Sequence, residues 1–535
     1  MTQKLYDEFS IQQIANSIRG RYEIYGTAPE DYKWKVSEMP AAINGLPSIS
    51  ESAEGVIGNT AEYVRISSAT TVIPPHKFSP TSYDDWTIYN RYGGSVYDSN
   101  ALRRLKCTEV RSIGDYAFYN SDVEEIETEA SNTDILIYKD AFGKTRNIKR
   151  IIVDGVKYVG HIDNLLSDTL HVFAGSLSDP DNFISDAHHQ FSEGDLVFNR
   201  DDGKCYKREN NSWTLFIPSS KFFASCEAFK SSAIEVIPLY LQAGFCHNTL
   251  YTDASFYKSI FEGCTCLRTV YFASNFGTFD NNDRRGSTLD SMFIGATGLR
   301  SIWIVDTTNQ TLSDDIALLN NGVVSARMFQ SADIRYLNLS NVTYLDQYAL
   351  AYSITNSELH LPALTTLKSS AIRETQNLEK LYLGDGTKAY VPGGADWNIS
   401  KQQNLYELTL NYTAVPMLGS ANGSDKAGAW LKYTAFSSYL GETTTVITEG
   451  ANAGNVTING VSKETHNKGD DPGSIVTYGG KDWVRVSNKW TEWGTDGNKR
   501  PTLKFPASQV NDVLGNARWL DLPALSQMVT SIEGT

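Results

Sequence analysis

The stretch IFEGCTCLRTVYF, residues 260–272, is followed at residues 292–304 by MFIGATGLRSIWI. Phe261 and Phe293, Gly263 and Gly295, and the pairs Leu267-Arg268 and Leu299-Arg300 keep the same places 32 positions apart. A pattern kept at such a spacing marks a supersecondary unit that buries its apolar face by stacking on copies of itself, as in a solenoid. Within one unit the alternating end, such as Val270-Tyr271-Phe272, is expected to be a short strand. The Phe-led segment is expected to be a turn whose ring fills the coil interior, and Cys264 or Ala296 is small enough to let neighbouring coils approach.

Looser copies extend in both directions. Phe118 with Val123 and Ile126, Phe142 with Ile148 and Ile151, and Phe229 with Ile234 and Ile237 precede the quoted lines; Phe329 with Ile334, Leu337 and Leu339 follows them. Later units shorten to Leu359, Leu361, Leu364 and Leu367, and the spacing varies from about 22 to 36 residues. The expected repeat core is therefore Phe118, Phe142, Phe229, Phe261, Leu267, Phe293, Leu299 and Phe329. These units resemble BspA-like leucine-rich repeats, which read Ala-Phe-x-x-Cys-x-x-Leu-x-x-Ile before a Leu-Pro strand. Cys264, Ala296, Leu267, Leu299 and Leu359-His360-Leu361-Pro362 fill the matching slots. The resemblance covers about residues 60–415 and implies a recognition surface rather than chemistry. A right-handed parallel β-helix is the rival architecture.

Composition narrows the partners. With 47 basic and 62 acidic residues the net charge is −15, and without a basic tract nucleic acid is not an expected partner. No run approaches the eighteen apolar residues of a membrane span, and the opening MTQKLYDEFSIQQ lacks a signal-peptide pattern, so a soluble protein is expected. The six cysteines, scattered through a long chain, read as reduced thiols. Aromatic residues are plentiful, and Tyr and Trp carry an apolar ring with a polar handle suited to interfaces.

Near the start, Ser10 can cap a helix carrying Ile11, Ile14, Ala15 and Ile18, and Ser37 to Ile43 suggests a second short helix. Ile14-Ala15-x-x-Ile18-Arg19 followed by Met39-Pro40-x-x-Ile43 resembles the opening of tailed-phage virion proteins, over roughly residues 8–46. That resemblance implies a tail tip, baseplate or fibre protein, located in the virion and made in the host cytoplasm. Its partners would be other virion proteins and a host surface glycan or protein, with homo-oligomers within the particle.

A second duplication interrupts the array. GDLVFNRDDGKCYKRENNSWTLF, residues 194–216, matches GSIVTYGGKDWVRVSNKWTEW, residues 473–493. Counted from Gly203 and Gly480, both place Lys next, an aromatic at plus three (Tyr206, Trp483), Arg at plus five, Asn at plus eight and Trp at plus ten (Trp213, Trp490). Each reads as a small β-meander docked on a host domain. The hairpins are similar to those of phage fibre and baseplate proteins.

The expected architecture is mainly β with short helices. An N-terminal helical attachment segment (1–48) precedes an irregular leucine-rich-repeat solenoid (60–415) interrupted by a β-meander module (186–217). A C-terminal β-rich domain (430–535) carries the second meander (473–493).

No catalytic, cofactor or metal residue is expected. No helix carries His-x-x-x-His, Cys264-x-Cys266 lacks a second pair, and Asp280 to Asp283 lack EF-hand spacing. No P-loop or nucleophile elbow appears. Candidate recognition residues are the exposed-type aromatics Trp86, Tyr89, Tyr92, Tyr97, Trp213, Trp483 and Trp490. The favoured function is non-enzymatic assembly and host-surface recognition. The alternatives are a tail-spike-type polysaccharide depolymerase, whose carboxylate pair would be remote in sequence, and a bacterial BspA-like surface adhesin.

Overall fold

The two quoted lines are neighbours in the structure. Strands Thr269–Ala273 and Ser301–Asp306 pair in parallel with Val270 opposite Ile302 and Phe272 opposite Ile304, the register the sequence repeat dictates. This computed structural model describes residues 49–52, 63–66, 70–79, 102–129, 134–162, 170–173, 183–186, 191–243, 258–274, 276, 289–391, 399, 402, 404–405 and 407–414, together with the short strands 444–446, 456–458, 475–478, 481–486, 489–492 and 502–504. The helices expected within residues 1–48, and Trp86, Tyr89, Tyr92 and Tyr97, lie outside the described residues.

The chain is a mainly β, irregular leucine-rich-repeat solenoid. Early coils contribute two short strands each. Tyr63–Ile66, Arg104–Cys107, Glu125–Thr128 and Arg150–Val153 form one parallel sheet, with Ile49–Ser52 beside the first. Val72–Ile73, Ser112–Ile113, Ile135–Ile137 and Lys221–Ala224 begin a second, which continues through Val236–Leu241, Thr269–Ala273 and Ser301–Asp306. Parallel neighbours need a long crossover, and the rest of each coil supplies it. Later coils pair Glu358–Leu361, Lys380–Leu383 and Glu407–Leu410, and Thr502–Lys504 returns from beyond the array to add the next rung.

The Phe-led turns form the spine. Phe78, Phe118, Phe142, Phe229, Phe261, Phe293 and Phe329 stack in one file, with centroids 5.1–5.7 Å apart and planes within 15°. Leu350 continues the line of hydrogen bonds toward Ile372: each N–H donates to the carbonyl preceding its counterpart in the next coil, from Phe118 to Ala141 through Phe329 to Ala349 and Leu350 to Ala371. The small position three residues after each ring is buried, as Ser121, Thr145, Ser232, Cys264, Ala296 and Ala332. Thr145 Oγ1 donates to Phe142 O at 2.6 Å, and Cys264 Sγ lies 2.9 Å from Phe229 O.

Two residues on either side of the ring position, the backbone turns left-handed. Tyr116 and Asn120 flank Phe118, Asp140 and Lys144 flank Phe142, Ser291 and Gly295 flank Phe293, and Tyr348 and Tyr352 flank Leu350, all with φ between 48° and 74°. This conformation costs a non-glycine residue about 1–2 kcal/mol. It turns alternate N–H groups toward the next coil, where Asn120 N donates to Gly143 O and Ser291 N to Ala326 O. One such bond returns about 0.5–1.5 kcal/mol net, so a single turn is close to break-even and is held by ring stacking. Among the described residues, Val, Ile and Thr are absent from the left-handed positions, as χ1 branching requires. Asn120 is exposed, which makes it a clean test. Asn120→Val is expected to lower stability by about 1–2 kcal/mol, whereas Asn120→Gly should leave it nearly unchanged, both read from urea unfolding midpoints.

Asp140 occupies such a turn and is only 8% exposed. Burial, reinforced by the nearby Glu227 carboxylate and opposed by Lys139, Lys230 and Lys144, raises its pKa to about 7. Its folded value lies above its unfolded one, so its contribution to stability is complete below about pH 4 and is lost as pH rises toward 7. Asp140→Asn should remove that slope and raise stability at pH 8 by up to about 4 kcal/mol, measured by unfolding across pH 4–8.

Between Phe142 and Phe229 the chain leaves the stack without breaking it. Lys157–Ile162 pairs in parallel with Asp195–Asn199, which continues antiparallel into Cys205–Glu209 and Ser212–Leu215. The backbone hairpin of Leu170–Phe173 and Phe183–Asp186 extends the same sheet. One face of this module, with Tyr158, Leu196, Phe198, Cys205 and Phe216, packs on the outer side chains of the solenoid strands, Val236, Tyr240, Tyr271, Trp303 and Val305. The second meander, Ile475–Tyr478, Lys481–Val486 and Lys489–Glu492, repeats the antiparallel order. Arg485 stands opposite Trp490 as Arg208 stands opposite Trp213.

Candidate functional site

Each quoted line places an arginine directly after its Leu, and each arginine meets an acid from an adjacent coil. Arg268 Nε lies 3.8 Å from Glu235 Oε2, which also accepts the Tyr158 hydroxyl at 2.9 Å. This group is sealed under the module, where burial pushes the Glu235 carboxyl above its usual range against the opposing pull of Arg268. One coil further on, Arg300 Nη1 donates to Asp333 Oδ2 at 2.7 Å. Asp333 is 1% exposed and also accepts from Arg335, through Nη2 at 2.8 Å and Nε at 3.0 Å. Here the module ends, and the cluster opens to solvent.

Tyr336 lies against both guanidinium groups. Arg300 Cζ is 4.8 Å and Arg335 Cζ 5.5 Å from the ring centroid, yet the tyrosine is 57% exposed. The module's Asp202-Gly203 turn docks beside it. Gly203 O accepts both Ser301 Oγ at 2.6 Å and Trp303 Nε1 at 2.8 Å, and Lys204 Nζ sits 5.5 Å from the Trp303 ring. Gly203 has φ +69°, and a Cβ there would meet Ser301 Cβ at 3.2 Å, so the close docking requires glycine.

The docked turn and the coil enclose a cavity of about 150 Å³ lined by Arg200, Asp201, Arg300, Asp314, Tyr336 and Asn338 among others. A second cavity of about 210 Å³ shares Leu337 and Asn338 with the first and reaches Arg335, Asn356, Glu358 and His360. Together they form a groove running from coil to coil. His360 is stacked on Tyr382 with centroids 4.2 Å apart, Lys380 Nζ bridges to Glu358 at 2.6 Å, and the Tyr382 hydroxyl donates to Glu407 at 2.9 Å.

Trp213 lies elsewhere, on the module face pointing away from the solenoid. It packs edge-on against Phe191 at 4.8 Å, with Arg208 Cζ 5.2 Å from its ring, beside Val159, Ile162, Val197 and Tyr206. Trp483 and Trp490 belong to strands described by backbone alone. Phe118, Phe142, Phe229, Phe261, Leu267, Phe293, Leu299 and Phe329 are all buried in the solenoid core. Arg300 stood out in the sequence only as part of the repeated Leu-Arg pair, and Asp333, Arg335 and Tyr336 not at all. The signal that could have found them is the recurrent Leu-Arg step matched to an acid one coil away.

Residues 59–149 and 319–391 match the BspA type leucine rich repeat region in six copies. These coils are similar to leucine-rich repeats of the BspA type. The unmatched middle holds the module and the longer coils, which share the ring stack and the left-handed turns of the matched coils on either side. No curated protein and no solved structure matches the chain.

Among the described residues, no cluster of three or more His, Cys, Asp or Glu could hold a metal ion, and no helix is long and apolar enough to cross a membrane. Cys107, Cys205 and Cys264 are free, and burial pushes each thiol up to about 12, which makes them core packing groups rather than nucleophiles.

Proposed function

We propose that the chain is a non-enzymatic recognition protein whose leucine-rich solenoid presents a rigid groove to a polymer or protein on a cell surface. The observation that carries this reading is Tyr336, an exposed aromatic ring locked in place by two arginines that share one buried aspartate. Side chains fixed before contact lose little entropy on binding, which favours affinity. The buried acid is committed to guanidinium groups, an arrangement suited to holding a platform rather than to moving protons.

The repeats of the BspA type suit a surface protein. A tailed-phage particle, with the chain at its tail tip, baseplate or fibre and joined to other virion proteins as a homo-oligomer, is the placement favoured by the opening at residues 8–46 and the duplicated meander. A bacterial surface adhesin would use the same groove. Electron microscopy with a labelled antibody tests the shared requirement. Label on the outside of a virion or a cell is expected, and label confined to the cell interior would contradict recognition of any surface.

A further inference from the structure

We infer that the groove between module and solenoid is a binding site for the neutral hexopyranose units of a polysaccharide, an inference that rests on the recognition reading above. A pyranose ring offers an apolar C–H face and a rim of hydroxyls, and it needs a flat aromatic surface beside hydrogen-bonding groups that converge. Tyr336 supplies the surface. Both guanidinium groups that touch it converge on the single atom Asp333 Oδ2, which gathers them on one side of the tyrosine, and the residue is 57% exposed.

The hydrogen-bonding groups stand on two independent elements. Asp314 belongs to the solenoid and accepts Asn338 Nδ2 through Oδ1 at 3.1 Å, with Oδ2 left for a ligand. Asp201 belongs to the module turn; its N–H is bonded to Asn199 Oδ1, and its carboxylate has no protein partner among the described residues. Hydroxyl groups donate strongly to carboxylates, at about 1.5–3 kcal/mol for a charged bond, and a sugar rim offers several such donors. The same carboxylates would repel an acidic sugar, which selects for neutral units.

Size decides between a monosaccharide and a polymer. Cavities of about 150 and 210 Å³ are each smaller than a pocket for an enclosed ligand, but they adjoin at Leu337 and Asn338 and follow the array from coil to coil. A chain of linked units can occupy both, with the first sugar on Tyr336 and the next beside Asn356 and His360. Each unit would bind weakly, and repeated engagement along one polymer would supply avidity.

The test is affinity electrophoresis of the full chain through gels containing dextran, mannan, galactan or a β-glucan, with alginate and hyaluronate as acidic comparisons. At least one neutral polymer should retard the wild type while the acidic polymers do not. Tyr336→Ala should weaken that retardation at least tenfold, Tyr336→Phe should retain it, and Trp213→Ala on the opposite module face should leave it unchanged. Because Tyr336 is exposed, the Ala variant should melt with the wild type, so a loss of binding reports the site and not the fold. Absence of binding to every neutral polymer, or equal retardation of Tyr336→Ala, overturns the inference. Binding of both proteins to host cell envelopes separates the two readings. Equal envelope binding by Tyr336→Ala removes this site and leaves recognition standing, whereas no envelope binding by the wild type removes both.

Discussion

Phe261→Ala is expected to lower unfolding free energy by about 3–5 kcal/mol, as truncation of a buried aromatic does. Phe261 is fully buried, and its ring lies between those of Phe229 and Phe293 at 5.7 and 5.6 Å. The cost has two sources. A ring-sized cavity opens in the core, and two stacked contacts are lost, each worth about 0.5–1.5 kcal/mol beyond buried area. The backbone cannot close the gap, because Phe261 N is tied to Met292 O in the next coil and Phe229 N to Ile260 O. Urea unfolding checks the magnitude. A double-mutant cycle with Phe293→Ala should return a coupling of about 0.5–1.5 kcal/mol, and additive single costs would mean that the rings do not act as a stack.

Asp333→Ala should cost about 3 kcal/mol and abolish binding at the groove together with it. Removal of one partner from a buried ion pair leaves the other charges uncompensated, an effect of about 3–5 kcal/mol, moderated here because Arg335 is partly exposed. Arg300 and Arg335 would both lose their anchor, and the Tyr336 ring would lose the guanidinium groups that hold it. Asp333→Asn retains the shape and one acceptor, so it should fold better than Asp333→Ala while still binding weakly. Calorimetric melting and affinity electrophoresis on the same preparations check the pair of effects. Wild-type affinity in a destabilised Asp333→Ala would separate the platform from recognition.

The fold was legible where physics acts through periodicity. The spacing from Phe261 to Phe293 reports the coil, and the alternation in Val270-Tyr271-Phe272 reports the strand, because both follow from side chains that must reach one core. The left-handed turns were not legible. Tyr116, Glu227, Ser259 and Arg327 are ordinary residues that adopt a strained φ only because the next coil accepts their N–H groups. The groove was hidden for a related reason. Gly203 meets Ser301 and Trp303 across about a hundred residues of chain, and nothing local to either segment specifies that contact. Aromatic content drew attention to Trp213, whose ring packs against Phe191 on the module's other face. Tyr336 gave no comparable cue, since its role comes from Asp333 three positions before it and Arg300 in the preceding coil.

Recognition without turnover can be tested in one incubation of the labelled full chain with host cell envelopes, in which bound protein and released reducing ends are measured together. A saturable binding curve with no reducing ends above the envelope-only control is the predicted result. A non-saturable curve, or reducing ends that accumulate with time, would contradict a non-enzymatic recognition protein.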